Sequence, residues 1–217
     1  MIYVKVIDSK LGYLALMKQL HRFTGIFVSV FVAAHLFNHC IAYLGIEEHQ
    51  AVLNALRKIY KIPIIEISLI GSFLFQSITG IMLFKKLLRK SNKSSLDKVK
   101  MYSGLILGLF LIQHIGATIG ARLYYEFDTN FYFAANVVLQ KPLLYYFVPY
   151  YFLGIMAFAF HVASIHKEKI SPIVGLNNAK VHFITIVFVF FVLAIFILYV
   201  FTGGVYDITI PEQYNVY

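Results

Sequence analysis

Long apolar runs alternate with short polar stretches along this chain. Five of the runs are long: about 19–44, 63–88, 101–123, 143–165 and 181–202. Each can cross roughly 30 Å of hydrocarbon at about 1.5 Å per residue. Lipid offers no partner to an unpaired backbone group, so each run is predicted to be a helix. The pattern predicts an all-α integral membrane protein: one transmembrane domain in which spans 1–4 form a four-helix bundle. The fifth run, VHFITIVFVFFVLAIFILYVF, is apolar on every face. It needs no polar partner and is expected outside the bundle, facing lipid. Ile46–Tyr60 has the apolar spacing of a short amphipathic helix lying on the membrane surface. Tyr124–Pro142 is aromatic and fits either an interfacial anchor or a lid over a lipid-soluble ligand.

Composition sharpens the class. The 217 residues are 60% hydrophobic with a mean hydropathy of +0.76, against about 45–50% apolar in soluble chains. There is no Trp, so Tyr and Phe must supply any aromatic belt. The single cysteine, Cys40, excludes an internal disulfide and a CxxC metal site. The first twenty residues show no small-residue cleavage site after an apolar core, so no removable signal peptide is expected.

The net charge of +9 is mostly a topology signal. Fourteen Lys and Arg residues fall on one side of the expected spans: Lys5, Lys10, Lys18 and Arg22, then seven from Lys85 to Lys100, then Lys167, Lys169 and Lys180. Five fall on the other: Arg57, Lys58, Lys61, Arg122 and Lys141. The excess places the N-terminus in the cytoplasm and the C-terminus outside. A nucleic-acid partner for the Lys85–Lys100 run is the weaker reading, and none is expected.

An internal repeat underlies the spans. Thr24-Gly25 is followed by His35, and Ser103-Gly104 by His114, with an offset of 79 residues. Phe75-Gln76 matches Phe160-His161 with an offset of 85. Spans 1–2 and 3–4 therefore look like a duplicated helical hairpin. By depth, His35 and His114 share a level roughly 20 Å from the cytoplasmic edge. Gln76 and His161 share an inner level roughly 9–14 Å from that edge.

Polar groups inside membranes are usually functional. Two imidazoles at one level on different helices can clamp a haem iron, and a bis-His site suits electron transfer. His35 and His114 are thus the expected axial ligands of a haem b. Gly25 and Gly104 either leave room for a ring at the inner level or serve close helix packing. Gln76 is a poor iron ligand, so the inner level is expected to hold a second haem on His161, a quinone, or a Gln–His hydrogen bond in a packed core. His39 lies one turn beyond His35, placed to reach a propionate or the interface, and a His35/His39 non-haem metal site is an alternative. His166 and His182 read as interfacial and His49 as solvated. Glu66 is either a proton carrier for a quinone or an interfacial carboxylate paired with Arg57, Lys61 or Arg122.

The stretch LHRFTG (Leu20–Gly25) resembles the LHR-x-SG opening of the cytochrome b membrane anchors of succinate dehydrogenase. The five-span plan, with histidines in spans 1, 3 and 4, resembles the five-helix anchors of succinate:quinone oxidoreductases and fumarate reductases. The resemblance covers roughly residues 20–165. It implies one haem on His35 and His114, a second involving His161, and His21 and Arg22 near a quinone and haem propionates. Gln76 departs from it, since a two-haem anchor has histidine there. For Arg22 a snorkelling positive-inside residue is the plain alternative. The implied function is that of a cytochrome b subunit in a bacterial cytoplasmic membrane. It would pass electrons between a quinone pool and iron–sulfur and flavoprotein partners. The chain has no flavin or nucleotide motif, so catalysis would rest with those partners. A standalone haem protein of the same fold and a cofactor-free structural bundle are the alternatives.

Overall fold

The structure, a computed structural model, describes the backbone of residues 2–214 and the side chains of residues 12–214. The side chains of Lys5 and Lys10, part of the topology signal, lie outside the described residues. Every regular element described is helical: α1 (Ile2–Ile41), α2 (Ile46–Tyr60), α3 (Pro63–Leu88), α4 (Ser95–Tyr124), α5 (Phe131–Leu139), α6 (Leu144–Val174), α7 (Leu176–Phe201) and a short 3-10 turn, Glu212–Tyr214. Five of them are long and apolar enough to cross a membrane: Gly12–Ile41 within α1, then α3, α4, α6 and α7. This is a multi-pass membrane protein.

Local chemistry sets the ends. Pro63 opens α3, where its missing N–H is not needed. Ser94 caps α4 by accepting from the Asp97 N–H at 3.1 Å, and Asp97 reaches back to the Ser94 N–H at 3.2 Å. Gly175, at φ 81°, makes the sharp joint between α6 and α7 in a conformation that a side chain would strain.

The helices pack in the order α1, α3, α4, α6, α7, each against the next. The backbones of α1 and α4 stay apart, and so do those of α1 and α6. Side chains and a cavity fill that interval. The connections α2 and α5 lie at one end, here the cap end, and touch each other.

Two expectations change. The fifth span, α7, does show much of its surface outward, from Val181 to Tyr199. Its cap end, however, is core: Ala194, Ile197, Val200 and Phe201 are buried with Phe131 and Val138 of α5 and Leu36 of α1. A helix apolar on every face can be buried wherever a neighbour covers it, and α5 covers this end. His49, expected in solvent, is 2% exposed. Helix α2 is amphipathic, and His49 and Leu53 lie on its buried side, where the imidazole bonds Asn38 at 3.0 Å.

Candidate cofactor site

A cavity of about 300 Å³ occupies the cap-end half of the bundle, at the lower limit of the roughly 300–1,000 Å³ usual for small-molecule sites. Its walls repeat. From α1 come Phe31, Val32, His35, Leu36 and His39, and from α4 come Phe110, Leu111, His114, Ile115 and Thr118, each 79 residues on. From α3 come Glu66, Leu69, Ile70 and Phe73, and from α6 come Tyr151, Gly154, Ile155 and Phe158, each 85 residues on. The duplicated hairpins thus enclose one cavity between equivalent faces.

His35 and His114 face each other across it, their ring centres 6.0 Å apart. Each is braced by a phenylalanine one turn before it: Phe31 stacks on His35 at 5.9 Å and Phe110 on His114 at 5.2 Å, both at 12°. These braces share the 79-residue offset, so the repeat already contained them, although spacing among histidines alone did not reveal them. A Cβ at Gly154 would overlap the Phe110 ring, so this glycine lets α6 close on the brace.

The separation fits a shared metal. A metal–imidazole bond is about 2 Å, and two in line put the ring centres roughly 6 Å apart. The apolar, aromatic walls suit a flat macrocycle. His39 complicates the picture: its Nε2 lies 3.2 Å from Nε2 of His35, so one of the two donates. An iron on His35 Nε2 would take the lone pair that now faces His39. Among the described residues no group of three His, Cys, Asp or Glu side chains converges to hold a metal ion. Any metal here therefore needs further ligands of its own, as a porphyrin supplies.

The inner-level residues lie elsewhere, outside this cavity lining. Gln76 does not bond His161. It folds onto α1, donating to the His21 carbonyl at 2.5 Å and to Thr24 Oγ1 at 2.6 Å. Its amide nitrogen is 3.3 Å from where a Gly25 Cβ would be. His161 folds onto α4 in the same way. Its Nδ1 donates to the Lys100 carbonyl at 3.3 Å, and its ring comes within 3.0 Å of a Cβ built at Gly104. The two glycines do make room at the inner level, and Gln76 and His161 fill it.

His21 Nδ1 pairs with Thr79 Oγ1 at 2.6 Å. The threonine hydroxyl already donates to the Phe75 carbonyl at 2.6 Å, so His21 is the donor. The LHRFTG stretch thus joins α1 to α3 and is not part of the cavity lining. Arg22 is exposed. Glu66, at the cavity rim, pairs with Arg122 at 2.6 Å, and Arg57 pairs with Asp128 at 2.7 Å. His166 and His182 meet at 3.1 Å between α6 and α7.

The sequence did not reveal the cap-end polar group. Asn38 bonds His49, and the His49 ring stacks on His39 at 5.6 Å and 18°. Burial holds the His49 pKa down at about 4, with His35 and Arg57 adding repulsion. From α5 and the turn before it, Thr129, Asn130, Phe133, Ala134 and Val138 close that end of the cavity, which is the position of a lid.

No family model, curated protein or solved structure matches the chain. The class follows from fold and site: a five-span membrane protein with two facing histidines in one cavity between duplicated hairpins.

Proposed function

We propose that this chain is a membrane cytochrome b that carries electrons through one haem b, which His35 and His114 would hold. One observation carries the reading: two imidazoles at equivalent positions of a repeat face one cavity at 6.0 Å. A bound haem supplies one-electron chemistry. His35 and His114 would hold the iron, Phe31 and Phe110 brace the two rings from behind, and the apolar walls would keep water from the macrocycle. Glu66 and Arg122 stand at the rim, where a carboxylate can exchange a proton with a quinone as electrons pass. The Lys and Arg asymmetry supports an N-terminus in the cytoplasm, and the bacterial setting rests on the resemblance to the anchors.

One haem is proposed rather than two, because Gln76 and His161 take up the inner-level space. The same packing favours a second reading of the partners. In a complex with flavoprotein and iron–sulfur subunits, electrons would enter at the inner level. Without a cofactor there, the chain works as a standalone haem protein. Purification in mild detergent with a reduced-minus-oxidised spectrum tests the first reading: a b-type band supports it, and its absence after expression with ample haem leaves a structural bundle. Co-purified flavin and iron–sulfur subunits would decide for the complex.

A further inference from the structure

Two outward faces of the bundle carry a pattern that the cavity does not use. On α3, Ile78, Met82, Lys85 and Arg89 recur at spacings of three or four residues, so they share one stripe of the helix. All four are exposed. On α4, Lys98, Tyr102, Ile106 and Leu109 form a second exposed stripe. The two helices pack against each other. Both stripes have the same order. Apolar side chains cover the length that crosses hydrocarbon, and cations stand where the helix leaves it, at the end away from the cap. At the cap end the same stripes finish in Ile64 and Leu123, which are exposed and carry no charge.

The cations lack counter-charges. Among the described residues two carboxylates lie at this end, Asp97 and Glu168, and they pair with Lys90 and Lys100. Lys85, Arg89 and Lys98 have no such partner. Membrane topology needs Lys and Arg in a loop but asks for no particular helix face. Here they continue the lipid-facing stripes, so each stem can lie on apolar surface while its charge stays at the headgroup level.

A ligand that fits both parts has two parts of its own: an anion level with the cations and an apolar body along the helix. A soluble acidic protein would meet the cations alone. A phospholipid of net negative charge meets both, because its phosphate oxygens accept from ammonium and guanidinium groups while its acyl chains run along the stripes. A zwitterionic lipid brings its own cation to the same surface and gains less. Clusters of Lys and Arg just beyond a membrane-spanning helix favour anionic lipid for this reason.

We propose that the α3–α4 end away from the cap is a binding surface for anionic phospholipid, with Lys85, Arg89 and Lys98 holding the headgroup. These residues lie outside the cavity lining, and the inference does not rest on the haem reading.

The test is native mass spectrometry of the full-length protein, purified in an uncharged detergent, with equimolar phosphatidylglycerol and phosphatidylcholine of the same acyl chains. Bound phosphatidylglycerol should outnumber phosphatidylcholine about fivefold, as one cation contact implies. The triple variant Lys85→Gln/Arg89→Gln/Lys98→Gln should lose the preference, and Lys58→Gln/Lys141→Gln, at the cap end, should keep it. If the triple variant does not fold, the wild type decides: raising the ionic strength from about 0.1 M to 1 M should reduce the preference. Glycerol 3-phosphate should leave the lipid bound. Equal binding of the two lipids, a preference that survives in the triple variant or at high salt, or displacement by glycerol 3-phosphate would each overturn the proposal. So would poly-L-glutamate binding that needs the three cations while lipid binding does not, which would assign the face to an acidic protein.

Discussion

The two halves of this bundle start from one template and end differently. At both levels each hairpin places a polar side chain at an equivalent position of the repeat. In the cap-end half the facing residues, His35 and His114, stand apart across a cavity, each held back by a phenylalanine. In the other half, Gln76 bonds α1, His161 bonds α4, and each lies against the glycine of its own hairpin. The difference lies in what stands beside the polar group. His35 and His114 are stacked on Phe31 and Phe110 and stay in the cavity, whereas Gly25 and Gly104 leave space that Gln76 and His161 fill. A duplicated fold thus keeps one interior level open and closes the other by local choices of one residue.

The comparison can be broken by experiment, starting with the largest expected effect. His49 belongs to the open half and is buried neutral, with its pKa lowered to about 4. The unfolded imidazole titrates near 6.5, so the denatured chain takes up the proton first. Stability from this group is fully present above pH 6.5, is lost as the pH falls toward 4, and then levels off. At about 1.4 kcal/mol per unit the loss is about 3 kcal/mol. Unfolding midpoints from pH 7 to 4 should show it, and His49→Gln should flatten that part of the profile.

The closed half should resist added volume. In Gly104→Ala the new methyl meets the His161 ring at 3.0 Å, so the ring must move. Overpacking of this kind costs about 1–3 kcal/mol. Gly116→Ala, where nothing lies within 4 Å, is the matched control and should leave the unfolding midpoint in place.

Gln76→Leu tests the stitch between α1 and α3. It removes two interhelical hydrogen bonds, each worth about 0.6 kcal/mol in membranes, and should destabilise by about 1 kcal/mol without changing haem content. The smallest effect belongs to the rim. The Glu66–Arg122 pair is partly exposed, at 27% and 38% for the two side chains. Glu66→Gln should therefore change stability by less than about 1 kcal/mol, and any larger effect on quinol-dependent haem reduction would mark Glu66 as a proton carrier.

Much of the scaffold was legible because hydrocarbon demands long apolar helices. The second span was expected at 63–88, and α3 is Pro63–Leu88. Helices α4 and α6 extend beyond their expected spans, since hydropathy marks the membrane-crossing part and not the polar turns that continue a helix. The repeat was legible in Thr24-Gly25 and Ser103-Gly104, and the cavity walls follow its offsets. Tertiary folding of the connections was not. Helix α2 has the pattern of a surface helix, and nothing in Ile46–Tyr60 says which molecule its apolar side covers. Here it covers Asn38 and His39, so His49 left solvent. The direction of Gln76 was equally hidden. Depth along a helix places a side chain at a level, but only the packing of α3 on α1 shows that its amide turns to Thr24.

The most direct test is a haem count per chain by pyridine haemochrome on three proteins prepared in parallel: wild type, His35→Ala and His161→Ala. The account expects one haem, none, and one. Haem retained in His35→Ala but lost in His161→Ala, or two haems in the wild type, would contradict it.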